Sequence, residues 1–242
     1  RRVRALHTNI DYYFSHLEKF PFPGFFDDIS ETWEILAKAK RCLREQLVEP
    51  DVRENRGSVK GDEPNLHGNY FIGEGTVIYN GVTIIGPVYI GRNCELMPGA
   101  IIRPNTIIAD GCSVGHGSEV KHCVMFGGAK VASLAFAGDC VLGASARIGS
   151  GVITANRRFD QKNAKLRENG ESADLHDSFF GCVLGDSSRI GANCVTQPGC
   201  HIGQYSWIFP LTNIRGFIPS DKHVYHPREV VMADCERLEL KP

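Results

Sequence analysis

The sequence lacks a charge imbalance, a long apolar run and any composition that favours disorder. Its 242 residues carry 27 basic and 28 acidic side chains, a formal net charge of −1. That balance gives no reason to expect a surface that reads nucleic acid or an anionic membrane through bulk charge. No apolar run approaches the roughly 18 residues needed to span a bilayer, and no charged-then-apolar leader is found, so a cytoplasmic protein is expected. Hydrophobic residues make up 42% and charged residues 23%, ordinary globular usage that excludes wholesale disorder. What the sequence does have is 26 glycines and nine cysteines. An odd cysteine count would leave one thiol over from a fully paired disulfide framework.

From residue 70 the sequence repeats every six positions. Ile72, Ile78, Ile84, Ile90, Leu96, Ile102, Ile108, Val114 and Val120 are branched aliphatics at one phase. Two residues before them stand smaller ones, among them Thr76, Val82, Val88, Cys94, Ala100, Thr106, Cys112 and Ser118. The phase restarts at Leu142 and Ile148, then at Leu184, Ile190, Ile202 and Ile208, with Thr196 the exception. A period of six is neither helical nor simple alternation; it is the hexapeptide repeat of a parallel β-helix. Each hexapeptide gives a short strand and a corner, and three close a triangular coil. The aliphatic and the residue two before it share the inward face. About seven coils stacked at strand spacing would stand on the order of 34 Å tall. Pro98, Pro104, Pro198 and Pro210 each follow an inward residue by two, at corners where no ladder N–H is needed.

Six cysteines, Cys94, Cys112, Cys140, Cys182, Cys194 and Cys200, fall in the small inward slot, and Cys123 precedes Met125 in the same way. Stacked in parallel, such thiols are poorly placed for disulfides and are expected free, as in a reducing cytoplasm. Cys42 and Cys235 lie outside the pattern. Between Val120 and Leu142 the step is 22 residues, which two five-residue rungs would absorb. Residues 156–180 are polar and charged and read as a loop thrown out of the prism.

The expected organisation is an aromatic-rich helical cap over 1–62, the β-helix over 63–215 and an extended tail over 216–242. In the cap, Ser30 is a candidate N-cap for a helix running from about Trp33 to Leu47, before Pro50. The cap is expected to close the open end of the prism or to reach a neighbouring subunit.

Arg103 and Lys121 each follow an inward aliphatic and lie 18 residues apart, one coil, so they stack on one edge. A planar fork beside a point charge suits a phosphate or carboxylate, with a solvated edge as the alternative. His116 and His122 sit at corners, with the unperturbed basicity of a general base or a role as exposed side chains. Arg157, Arg158, Lys162, Lys165 and Arg167 make the long loop cationic, either as a mobile solvated segment or as a flap over an anionic ligand. GEGT at 73–76 lies inside the hexapeptide phase and is a corner, not a phosphate loop.

The segments EVK (119–121), GD (138–139) with LG (142–143), IGSG (148–151) and TANRRFD (154–160) together resemble one family. It is the C-terminal acetyltransferase domain of bifunctional UDP-N-acetylglucosamine synthesis enzymes, particularly the archaeal-type sugar-1-phosphate nucleotidylyltransferases. The likeness covers about residues 66–222. It implies a left-handed β-helix, a homotrimer with sites between subunits, and acetyl transfer from acetyl-CoA (or another acyl-CoA) to a sugar phosphate or nucleotide sugar. It makes Arg103 and Lys121 the sugar-phosphate contacts, places Asn156 and Lys162 at further site positions, and puts the coenzyme A contacts near Ala192 and Pro210. Ser133 stands where the family has its catalytic histidine, Phe136 where it has a tyrosine, and Arg147 where it has an asparagine. Losing a general base typically costs about 10²–10⁴ in rate. The nucleotidyltransferase half is not recognised, so pyrophosphorylase activity is not expected.

Two alternatives follow. One is a catalytically decayed trimer that binds a sugar phosphate or serves assembly. The other is a zinc enzyme: VGHGSEVKHC resembles the hexapeptide-fold carbonic anhydrases, but its histidine spacing is longer and His67 or His201 would have to complete a site. No metal is expected.

Overall fold

The computed structural model describes residues 6–47 and 52–226. Its strands are short, mostly two or three residues, and apart from one hairpin they pair in parallel with the strands of the neighbouring coils. Three faces result. The first and second each hold nine strands, from Arg53–Asn55 to Phe217–Ile218 and from Ser58–Lys60 to His223–Val224. The third holds eight, from Asn65–His67 to Asn213–Ile214. This is the expected parallel β-helix. The stack is taller than about seven coils because its end rungs lack the aliphatic signal: Arg53–Asn55 and Ser58–Lys60 are largely polar, yet they pair in register with Tyr70–Ile72 and Val77–Tyr79. Residues after 216, expected to be extended, supply the last strands of two faces.

The inward aliphatics form one continuous core, from Ile72 to Ile214. The small inward slot has a polar task as well. Thr76 donates to the Gly91 carbonyl at 2.8 Å and Ser118 to that of Ala132, satisfying corner carbonyls that face the interior. Cysteine does the same: the thiols of Cys94, Cys112 and Cys123 donate to the carbonyls of Ala109, Phe126 and Ala137 at 3.1–3.2 Å. The cysteines are therefore weak donors fitted to a narrow slot, beyond being small hydrophobes. All eight described are free, and seven are buried. Cys235 lies outside the described residues.

The two short rungs are found where the 22-residue step requires them. The strand register tightens from 18 residues (Ile101 to Glu119) to 17 (Glu119 to Phe136). The corners Lys121–His122 and Gly138–Asp139 have two residues each, with His122 and Asp139 at φ 49° and 53°. Aspartate tolerates this left-handed region better than most residues.

The N-terminal segment does not close an end of the prism; it lies along the outer side of the first face. The reason is the outward residue of each first-face strand: Tyr89, Ile107, Val124, Val141 and Val183 are apolar and pack with the cap. Phe14, Phe20 and Phe26 surround Phe126 at ring distances of 4.8, 5.3 and 5.6 Å. The one α-helix among the described residues runs Glu34–Gln46 and buries Ile35, Leu36, Ala39 and Leu43. Ser30 does not cap it. Instead the Glu34 carboxylate reaches back to accept the N–H groups of Ser30 and Glu31, both at 2.9 Å.

Residues 156–180 are a docked unit with little of a loose loop in it. They contain an antiparallel hairpin, Lys165–Glu168 with Glu171–Asp174, and bury Ala164, Leu166, Leu175 and Phe180. The hairpin lies against the edge where the third face meets the first. A Cβ at Gly199 or Gly216 would come within 2.6 Å of the Lys165 carbonyl oxygen and 2.5 Å of that of Arg167, so only glycine permits the approach.

Candidate functional site

The sequence-selected residues gather on two edges of the prism. On the edge between the second and third faces, each corner amide bonds the carbonyl one coil below. Gly117 N–H donates to Pro98, Leu134 to His116, Gly151 to Ser133, Asn193 to Ser150 and Leu211 to Ala192. Pro98, His116, Ser133, Ser150, Ala192 and Pro210 therefore form one column. His116 is exposed, and its Nδ1 lies 2.7 Å from the Pro98 carbonyl. That carbonyl can only accept, so Nδ1 carries the proton and Nε2 presents its lone pair outward. Ser133 is half-buried one rung above. Gly115 makes the stacking tight: its Cβ would sit 2.5 Å from the Ser133 nitrogen. Further along the column a groove of about 390 Å³ is lined by Arg147, Ser150, Arg189, Ala192, Trp207 and Pro210.

On the edge between the third and first faces, Arg103 and Lys121 stack as expected, but each already has a carboxylate partner. Arg103 Nη1 lies 2.7 Å from Glu119 Oε1, and Lys121 Nζ 3.1 Å from Asp139 Oδ2. Asp139, 2% exposed, also accepts from Asn156 Nδ2 and sits 2.9 Å from His122 Nδ1. The two short corners bring this carboxylate between its donors, Lys121 and His122 one coil below and Asn156 one coil above. His122 is largely covered rather than outward-facing, because its Nε2 lies 3.2 Å from the Leu36 carbonyl of the cap helix. With one nitrogen against a carboxylate and the other against a carbonyl, His122 has no lone pair turned outward to serve as a base. Lys121 Nζ and the Arg157 guanidinium both lie over the Phe179 ring, at 4.7 and 4.8 Å. Lys162 is exposed in the segment leading to the hairpin. Phe136 faces outward on the third face, between the two edges, paired in register with Glu119.

A groove of about 690 Å³ opens beside the second edge, between the hairpin and the corners at Gln197–Pro198 and Arg215–Gly216. Arg157, Arg158, Lys165, Arg167 and Arg215 line it. Within one chain, His116 and His122 stand on different edges, and His201 is buried between Thr32 and the Gly199 carbonyl. These histidines do not converge on a metal, and no group of three or more ligating side chains is present among the described residues. Sequence reasoning missed Asp139 as a site residue, although it stands in the GD segment that carries the resemblance, and it missed Arg215. Counting coils along the edge, 103, 121, 138, 155, 197 and 215, would have found the latter.

Residues 84–170 match the family model of the GMPPB C-terminal domain. The bifunctional sugar-1-phosphate nucleotidylyltransferase/acetyltransferase of Sulfurisphaera tokodaii is 34% identical over 189 residues, 78% of this chain and 46% of that protein. The bifunctional protein GlmU of Methanococcus aeolicus is 31% identical over 209 residues, 86% of this chain and 49% of that protein. This chain resembles the C-terminal half of those bifunctional enzymes. It spans about half the length of the curated relatives it matches. Among solved structures, the UDP-N-acetylglucosamine acyltransferase of Francisella novicida aligns over 70% of this chain and 64% of its own at 15% identity, with a TM-score of 0.43. No helix among the described residues is long and apolar enough to cross a membrane.

Proposed function

We propose that this chain is an acyltransferase that moves an acyl group from acyl-CoA to a sugar phosphate or nucleotide sugar, with His116 as general base. The observation that carries the reading is the His116 ring. It is fixed through Nδ1 by Pro98 and free at Nε2, one rung from Ser133 and on the column that leads to Ala192 and Pro210. In the reaction the acceptor's amine or hydroxyl attacks the thioester carbonyl. The new C–N or C–O bond forms as the C–S bond breaks, Nε2 takes the nucleophile's proton, and the thiolate leaves. Arg103, Lys121 and Asn156 hold the acceptor's phosphate, with Asp139 positioning the last two. Arg147 flanks the donor groove in place of the family's asparagine.

In one chain the two columns lie on opposite edges of the third face. The homotrimer implied by the resemblance would set one chain's His116 column against the next chain's Lys121 edge, and Ile101 and Ile153, exposed on that face, support such packing. The test is thiol release from acetyl-CoA with a panel of amino-sugar phosphates. Turnover lost in His116→Gln, with the oligomer intact, supports the reading. No turnover above background with any acceptor overturns it in favour of a binding or assembly module, the reading that the replacements Ser133, Phe136 and Arg147 favour. Recovery of turnover in Ser133→His would then show that the remaining machinery is in place.

A further inference from the structure

The groove beside the hairpin has a composition that sugar-phosphate binding does not use up. Arg158 is held by Asp160, and Arg157 by Gln161 and the Phe179 ring. Lys165, Arg167 and Arg215 form no ion pair among the described residues, yet all three line the same groove. They are held in place: Gly199 and Gly216 seat the strand that carries Lys165 and Arg167 directly on the prism, and Arg215 stands in the corner next to Gly216. Three cations on a rigid wall, none of them in an ion pair among the described residues and only Lys165 facing a carboxylate across the hairpin (Asp174), fit a ligand with more than one phosphate. The same groove is lined by Phe159, whose side chain is fully exposed at 108%. A free aromatic face beside a phosphate cradle suits a planar base.

We propose that this groove binds a nucleoside diphosphate moiety, its phosphates on Lys165, Arg167 and Arg215 and its base against Phe159. The groove continues the edge that carries Arg103 and Lys121, and Phe179 bridges Lys121 and Arg157 between the two. Corners 121, 138, 155, 197 and 215 stack in succession, so Lys121 and Arg215 are about 19 Å apart along the edge at strand spacing. For a nucleotide-sugar acceptor the diphosphate would bridge from Lys121 toward the groove, the long side chains of both sites spanning the gap. The base and its phosphates have two sources, a nucleotide-sugar acceptor or the nucleotide end of coenzyme A. The inference rests on the acyltransferase reading for that source and not for the binding.

The experiment is calorimetric titration of the full chain with UDP-N-acetylglucosamine, coenzyme A and inorganic pyrophosphate. Wild type is compared with Phe159→Ala and with Arg167→Ala/Arg215→Ala. The expected result is binding of at least one nucleotide, weakened roughly tenfold or more in each variant. Phe159→Ala should leave pyrophosphate binding unchanged. Preference for the nucleotide sugar assigns the groove to the acceptor, and preference for coenzyme A to the donor. The inference is overturned if neither nucleotide binds, or if wild type and both variants bind alike. Thiol release separates this from the acyltransferase reading. Nucleotide binding without turnover sinks only that reading, whereas turnover with unchanged KM in both variants sinks only the groove.

Discussion

His201 gives the most quantitative prediction. The repeat places it outward on the first face, and the cap buries it completely, with Thr32 Oγ1 2.8 Å from Nε2 and the Gly199 carbonyl 3.0 Å from Nδ1. Phe180 stacks on the ring and Tyr13 meets it edge-on. The carbonyl fixes the proton on Nδ1, and Nε2 accepts from the threonine. Burial without a counter-charge pushes the imidazole from its ordinary 6.5 down to about 4. The folded protein therefore binds fewer protons than the unfolded chain between those values, so stability rises with pH across the window. It is complete above about 6.5 and is lost as pH falls toward 4. At about 1.4 kcal/mol per pH unit the full linkage is about 3 kcal/mol, of which about 2 kcal/mol is lost between pH 7.5 and 5. The assay is urea unfolding at those two pH values for wild type and for a Thr32→Val/His201→Phe variant, which fills the site and removes the proton-binding group. The two proteins differ in no other titratable group, so the difference isolates His201. Parallel pH dependence in the two proteins would refute the reasoning.

His116→Gln should lower turnover roughly 10²–10⁴-fold with little change in melting temperature, since the side chain is exposed and only its general-base role is lost. Asp139→Asn replaces a buried carboxylate held by Lys121, His122 and Asn156 with an amide that cannot serve all three donors. It should cost about 3 kcal/mol in urea unfolding and weaken sugar-phosphate binding in calorimetry. Phe126→Ala empties the centre of the aromatic cluster and should destabilise the protein by about 3–5 kcal/mol, read in the unfolding midpoint. Gly216→Val places a side chain against the Arg167 carbonyl and into a φ of 71°, and should make the hairpin's peptide bonds cleavable in limited proteolysis while the prism persists.

The prism was legible because its core repeats: one aliphatic every six residues specifies strand, corner and coil together. The five-residue rungs were legible as a shortfall of two, but what they achieve was not. Only the folded register shows that shortening two successive corners sets Asp139 over Lys121 and His122. The place of the cap was open to a finer reading of the same repeat. The residue between the two inward positions faces out, and on every third rung it is Tyr89, Ile107, Val124, Val141 or Val183. On the next face the corresponding residues are Glu95, Ser113, Lys130, Arg147 and Arg189. A face apolar on both sides must be covered, and the aromatic segment is what covers it. The partners of Arg103 and Lys121 were hidden for a different reason: a carboxylate on the neighbouring coil lies 16 or 18 residues away, where no local pattern points.

A stack in which each coil touches only its neighbours behaves as a one-dimensional chain, free to fray from either end. The cap breaks that rule. Phe22 meets Tyr89 in the lower coils, Phe14 meets Phe126 in the middle, and Tyr12 lies against Phe217 and receives the Ser220 amide on its hydroxyl in the last coil. The segment is a strap bolted along the height of the column, tying rungs that would otherwise come apart singly. It also sets an order of assembly. The strap precedes the prism in the chain, and its seat is complete only when the last coil has wound. Closure of the strap is then the event that turns a stack of weakly linked coils into one cooperative unit.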